Sequence, residues 1–144
     1  PRELDQIVEY IPLDIVQAPF SIFDKRMESS GWLDKLSALR VEFHARSVFL
    51  QGLLLKPMNE IPDQFLRWGD KFLALNNWLD NNCVDALNAC LSIAANSKVT
   101  KVVVGVCNPE ELEALVKGYE SVGTIDVPNF EVEDENLLQP YSWY

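Results

Sequence analysis

Histidine occurs once in the 144 residues, at His44, and the three cysteines, Cys83, Cys90 and Cys107, show no CxxC spacing. Zinc sites draw on clusters of these two side chains, so no metal site is expected. An odd number of thiols also argues against a disulfide framework, and the three read as reduced thiols of a cytoplasmic protein. No run of about 18 or more apolar residues occurs, which leaves no candidate membrane span. Nor is there a signal-like start, because Pro1-Arg2-Glu3-Leu4 opens directly into a helical pattern. A chain that opens on Pro1 without Met reads as a processed, trimmed or truncated product. Cations are scarce as well: 12 Lys and Arg stand against 22 Asp and Glu, for a net charge of −10. Such a surface repels phosphate backbones and disfavours nucleic acid as a partner.

What is present is ordinary for one soluble globular domain, with 48% hydrophobic and 24% charged residues. The stretch around which the chain is organised is Val41 to Leu55, VEFHARSVFLQGLLL. It begins with β-branched and aromatic residues like a strand, yet Arg46 and Ser47 interrupt its apolar run. An unpaired buried charge costs about 3–5 kcal/mol. Arg46 and Ser47 are therefore either paired by a neighbour or placed at the strand's open end, facing a ligand.

In chain order, Leu4, Ile7 and Val8 give the i, i+3, i+4 stripe of a short helix that Pro12 ends. Leu13 to Ala18 reads as a buried strand and Pro19 to Met27 as a loop. Ser29 or Ser30 can cap a helix carrying Trp32, Leu33, Leu36 and Leu39. A strand is expected over Val41 to Phe49, and a long loop over Gly52 to Pro62. Phe65, Trp68, Phe72, Leu75, Trp78 and Leu79 predict an amphipathic helix broken at Asn81-Asn82, and Val84 to Ala95 predicts another. Lys101 to Val106 reads as a third strand. Asn108-Pro109-Glu110-Glu111 is a helix start in which Asn caps, Pro fits the first turn and acids face the dipole. An acidic tail, 123–144, ends in Tyr141, Trp143 and Tyr144, which are expected to dock on the body. Strands alternating with helices predict an α/β fold of parallel strands, and three strands look like a portion of a larger barrel or sheet.

Three segments together resemble the aldo/keto reductase family, a (β/α)8 TIM barrel that uses a nicotinamide cofactor. DIVQAPFSIFDKR from Asp14 is similar to the family's sixth strand and following loop, and HARSVFLQGLLL from His44 to its seventh strand. VVVGVCNPEELEAL from Val102 is similar to the eighth strand and last barrel helix, and NLLQPYSW from Asn136 to the family's chain ending, as a natural C-terminus. The resemblance implies that residues 1–144 are the C-terminal part of such a barrel, with strands six to eight. The parent would transfer hydride between NAD or NADP and a small aldehyde, ketone or sugar-like carbonyl. The family's Tyr, Lys, Asp and His tetrad lies on its first four strands, so no catalytic residue is assigned and the chain alone is expected to be inactive. His44 is read as an exposed or satisfied structural histidine rather than the catalytic one.

Cofactor positions carry over one by one. Gln17 matches the residue that bonds the nicotinamide carboxamide, or else it bonds neighbouring backbone. Arg46 falls where an aromatic ring usually stacks on the nicotinamide; its planar guanidinium suits stacking, and an ion pair is the alternative. Ser47 matches a phosphate contact, or is simply a small residue. Gly105 would let backbone approach a phosphate, and the helix start at Asn108 would supply N–H donors. Glu111 stands where NADP-preferring members carry an arginine, which puts NADP preference in doubt. The competing readings are a non-enzymatic half-barrel interaction module and an unrelated small α/β binding domain. Three parallel strands with two open edges further predict self-association of the chain.

Overall fold

A computed structural model describes residues 2–143. The elements, in order, are α1 (Arg2–Ile7), β1 (Ile15–Pro19), α2 (Arg26–Ser29), α3 (Trp32–Ala38) and β2 (Glu42–Arg46). They continue as α4 (Gly69–Asn82), α5 (Ala86–Ala95), β3 (Lys101–Val102), α6 (Pro109–Ser121) and α7 (Glu135–Leu138). The three strands form one open parallel sheet in the order β1-β2-β3, with helices around it. No helix among the described residues is long and apolar enough to cross a membrane.

Side chains on a strand alternate between faces, and the register turns that alternation into two unlike surfaces. Gln17 is level with His44, Ala18 with Ala45, and His44 with Lys101. Val16, Phe43 and Ala45 face the helices and are buried. Ile15, Gln17, Arg46 and Lys101 point the other way and are exposed, with His44 half-buried among them. Parallel sheets are normally covered on both faces; the described residues cover this one on one face. Ile15 and Val103, expected inside, are consequently 52% and 41% exposed.

Two strands are shorter than their apolar runs predict. β2 stops at Arg46, not Phe49, because Ser47 takes a left-handed φ of 57° and turns the chain away. Once β2 has left, β3 loses its partner: Val103 N–H donates to Ala45 O at 2.7 Å, and the extended chain beyond it is unpaired. Helix starts differ too. Neither Ser29 nor Ser30 caps α3; Gly31, at φ 78°, occupies that position. Ser29 Oγ donates instead to Lys25 O and to Glu131. The predicted helix from Phe65 begins as a 3-10 turn over Asp63–Trp68 and becomes α-helical at Gly69. That helix runs through Asn81 and Asn82 and stops at Cys83, whose φ is 52°. The long loop after Gly52 contains two 3-10 turns, Leu53–Leu55 and Met58–Glu60.

The segment after β1 has no periodicity and reads as a loop, yet it supplies the centre of the core. Phe20, Ile22 and Phe23 are at most 1% exposed, with the Phe23 ring tilted at 57° against Phe72 at 5.2 Å between centroids. A tight turn holds them in place, with reciprocal backbone bonds between Ser21 and Asp24. The tail closes the core from outside: Val132 N–H donates to Phe23 O, and Leu137 and Leu138 are buried. Trp143 lies edge-on to Phe65 at 4.7 Å, whereas Tyr141 is 79% exposed and Tyr144 lies outside the described residues.

Asp24 is buried within this loop and must be neutralised there. Arg26 does so through one edge of its guanidinium, Nε donating to Oδ1 at 2.9 Å and Nη2 to Oδ2 at 2.7 Å. Removing one partner of a buried pair costs about 3–5 kcal/mol, because the other charge is left stranded. Arg26→Met should therefore lower the unfolding free energy by about that amount in urea, and adding Asp24→Asn should restore part of it. Equal stability of Arg26→Met and wild type would contradict the pairing.

Candidate functional site

At the C-terminal ends of the strands two cavities adjoin, and Arg46 lines both. The larger, of about 860 Å³, lies between the segment following β2, the start of α5 and the β3–α6 junction. Its volume falls within the roughly 300–1,000 Å³ of small-molecule sites. Its walls are mainly aliphatic, with Arg46, Ser47, Gln51, Asp85 and Glu111 as the polar members. The smaller, about 350 Å³, is bounded by β1, α1, Met27 and the tail residues Gln139 and Tyr141.

The backbone after β2 shapes the larger cavity. Ser47, Leu50, Gln51 and Gly52 all have positive φ, between 48° and 78°. Three of them are not glycine, so the conformation is imposed by packing: Val48, Leu50, Leu53 and Leu54 are buried while Ser47, Gln51 and Gly52 are turned into the cavity wall. Only Gly52 announced a left-handed turn in the sequence; Ser47, Leu50 and Gln51 carry no such signal. Asp85, not singled out from sequence, caps α5 by accepting from Leu87 N and Asn88 N. An Asp just before an apolar helix was the available signal for it.

Each residue singled out from the sequence can now be placed. Arg46, Ser47 and Gly105 share the larger cavity, and Gln17 lines the smaller one beside Arg46. Arg46 has no carboxylate within ion-pair distance among the described residues, so its charge is not spent on a structural pair. Its Nη1 donates only to Ser47 Oγ, at a long 3.4 Å. Gln17 makes no side-chain hydrogen bond among the described residues, its carboxamide being exposed on the bare face of the sheet. A Cβ on Gly105 would meet nothing within 4 Å, so packing inside the chain does not demand glycine there. Asn108 does not line the cavity. Its Oδ1 accepts from Glu111 N at 2.8 Å, which commits it to the helix.

His44 and Glu42 stand on the bare face behind this site. His44 Nε2 and Glu42 Oε2 are 2.8 Å apart, and Lys101 Nζ reaches the same oxygen at 3.3 Å. Hydrogen bonds from His44 and then Lys101 hold the Glu42 carboxyl below its ordinary range. His44 is thus satisfied by Glu42 on its own strand and is not a member of the cavity. Of the thiols, Cys83 and Cys107 are exposed, and burial pushes the Cys90 thiol up.

The left-handed Ser47 gives the site a stability signature. Ser47→Gly should leave the unfolding midpoint in urea nearly unchanged, whereas Ser47→Val should cost about 1–3 kcal/mol, since a β-branched residue is strained at positive φ. Equal midpoints for the two variants would contradict the turn.

No family model matches the chain and no curated protein matches it, so the functional reading rests on the site's own geometry and on the sequence resemblance.

Proposed function

We propose that the chain is the cofactor-holding, C-terminal part of an aldo/keto reductase-like barrel, contributing its strands six to eight. The parent would be an NAD- or NADP-dependent oxidoreductase acting on a small carbonyl compound. The observation that carries this reading is the charge of Arg46, unpaired among the described residues and set between two adjoining cavities at the C-terminal ends of parallel strands. Ligands of parallel α/β folds bind at that end of the strands. A dinucleotide would use both cavities, which meet at Arg46. Gln17 would then meet the carboxamide of the nicotinamide in the smaller one, and Arg46 would stack on its ring. Ser47 and the backbone at Gly105 would meet the phosphates in the larger. No acid–base tetrad is assigned in these residues, so binding without turnover is the behaviour of the chain alone.

Calorimetric titration with NAD and NADP tests this reading. Arg46→Ala should weaken the tighter cofactor about tenfold, equivalent to about 1.4 kcal/mol, with an unchanged melting temperature. An unchanged affinity with a lowered melting temperature would make Arg46 structural. Steady NAD(P)H oxidation with a simple aldehyde would contradict the division of labour.

A second reading, a non-enzymatic interaction module, is favoured by the bare sheet face. Exposed Ile15 and Val103 lie there, and the outer edges of β1 and β3 have no strand partner among the described residues. Open edges template pairing with further chains, and a second copy is the nearest cover. Sedimentation should show a dimer at micromolar concentration; a monomer throughout would remove this reading.

A further inference from the structure

The larger cavity combines an aliphatic wall with a single cation. Phe49, Val104 and Leu115 line it, together with Leu55, Val103 and Val106, which are 39%, 41% and 39% exposed. Large apolar side chains left in water around one concave site mark a surface that a ligand covers. Arg46 is the only lysine or arginine of the lining and stands at one end, where β2 stops.

Two donors at that end are unspent. Arg46 has no carboxylate within ion-pair distance among the described residues. Its Nη1 reaches Ser47 Oγ at a long 3.4 Å, and the Ser47 hydroxyl has no acceptor of its own among the described residues. An oxyanion set between them would take a hydrogen bond from each. The acids of the lining, by contrast, are turned to helix starts. Asp85 accepts from Leu87 N and Asn88 N. Glu111 accepts from Cys107 N–H at 2.8 Å and from Asn108 Nδ2 at 3.0 Å, a clasp that holds it at the start of α6. A neutral hydrocarbon would cover the wall and leave Arg46 bare. A short acid would pair Arg46 and leave the wall in water.

We propose that the larger cavity binds linear aliphatic monocarboxylates, with the carboxylate on Arg46 and Ser47 and the chain along the wall formed by Leu55, Val104, Val106 and Leu115. The inference goes beyond the dinucleotide reading and does not depend on it. The two ligands share the corner at Arg46 and Ser47, so each excludes the other. Arg46 is exposed, so its ion pair is screened by salt and contributes selectivity more than affinity. The chain contributes the affinity, each buried methylene being worth up to about fourfold.

The test is calorimetric titration of the 144-residue protein with butyrate, hexanoate and octanoate, and with octanol as the uncharged counterpart. Affinity should rise about threefold per added methylene. Octanoate should bind several-fold more tightly than octanol at low salt, with the margin shrinking in high salt. Arg46→Gln should bring octanoate down to the affinity of octanol and leave octanol unchanged. Where NADH binds, octanoate should displace it. Affinity independent of chain length, octanoate no tighter than octanol, or no octanoate binding at millimolar concentration would overturn the inference. A folded Arg46→Gln variant that keeps the margin, or octanoate bound together with NADH, would overturn it likewise. NADH failing to bind while octanoate passes these tests would overturn the dinucleotide reading alone. NADH binding without octanoate would overturn this inference alone. The wild-type series decides the matter even where the variant does not fold.

Discussion

The period of two along β2 is the constraint on which the rest of the molecule depends. Phe43 and Ala45 must face the helices, so His44 and Arg46 must face away from them. A shift of one residue would bury the arginine and expose the phenylalanine. The pairing of β2 with strands on both sides fixes that register, and the left-handed Ser47 ends it. The same turn that stops the strand delivers the cavity wall, so core and candidate site have one structural origin. The Arg46 side chain is left between two cavities, and among the described residues its one side-chain hydrogen-bond partner is Ser47.

The periphery is built to hold this strand from one side only. The aperiodic segment Phe20 to Asp24 fills the centre, and Arg26 makes its buried carboxylate tolerable. Behind it, α4 contributes Phe72, Leu75 and Leu79, and the tail lays Val132, Leu137 and Leu138 over the whole. α5 and α6 pass close at Gly118, where an added Cβ would come within 3.1 Å of the Leu91 side chain. That crossing sets α6, and with it Glu111, against the segment that follows β2. The opposite face of the sheet carries the Glu42, His44 and Lys101 cluster.

Much of the fold was legible in the sequence. The alternation of strands with helices, the capped start of α6 at Asn108-Pro109 and the buried stripe of α4 are all periodic or chemical signals. What was not legible has particular causes. The end of β2 was invisible because Ser47, Leu50 and Gln51 adopt conformations that only glycine advertises. β3 was overestimated because a valine run records β-propensity, while strand length depends on a partner that had already turned away. Phe20 to Asp24 looked like a loop because it is one, and nothing local reveals that a loop is buried. In the site, Arg46 stood out as a charge in an apolar run. The Glu111 clasp was half-visible: the acid at the third helical position was plain, but its bonds to Cys107 and Asn108 needed the fold.

The central claim is that one ligand spans the cleft along the ends of β1, β2 and β3. Amide chemical-shift mapping of the 15N-labelled protein during addition of NADH tests it most directly. The account predicts that the largest shifts fall on Gln17, Arg46, Ser47, Gly52 and Gly105, moving together at one affinity. Shifts confined to α1, α4 or the tail, or none at millimolar NADH, would contradict it.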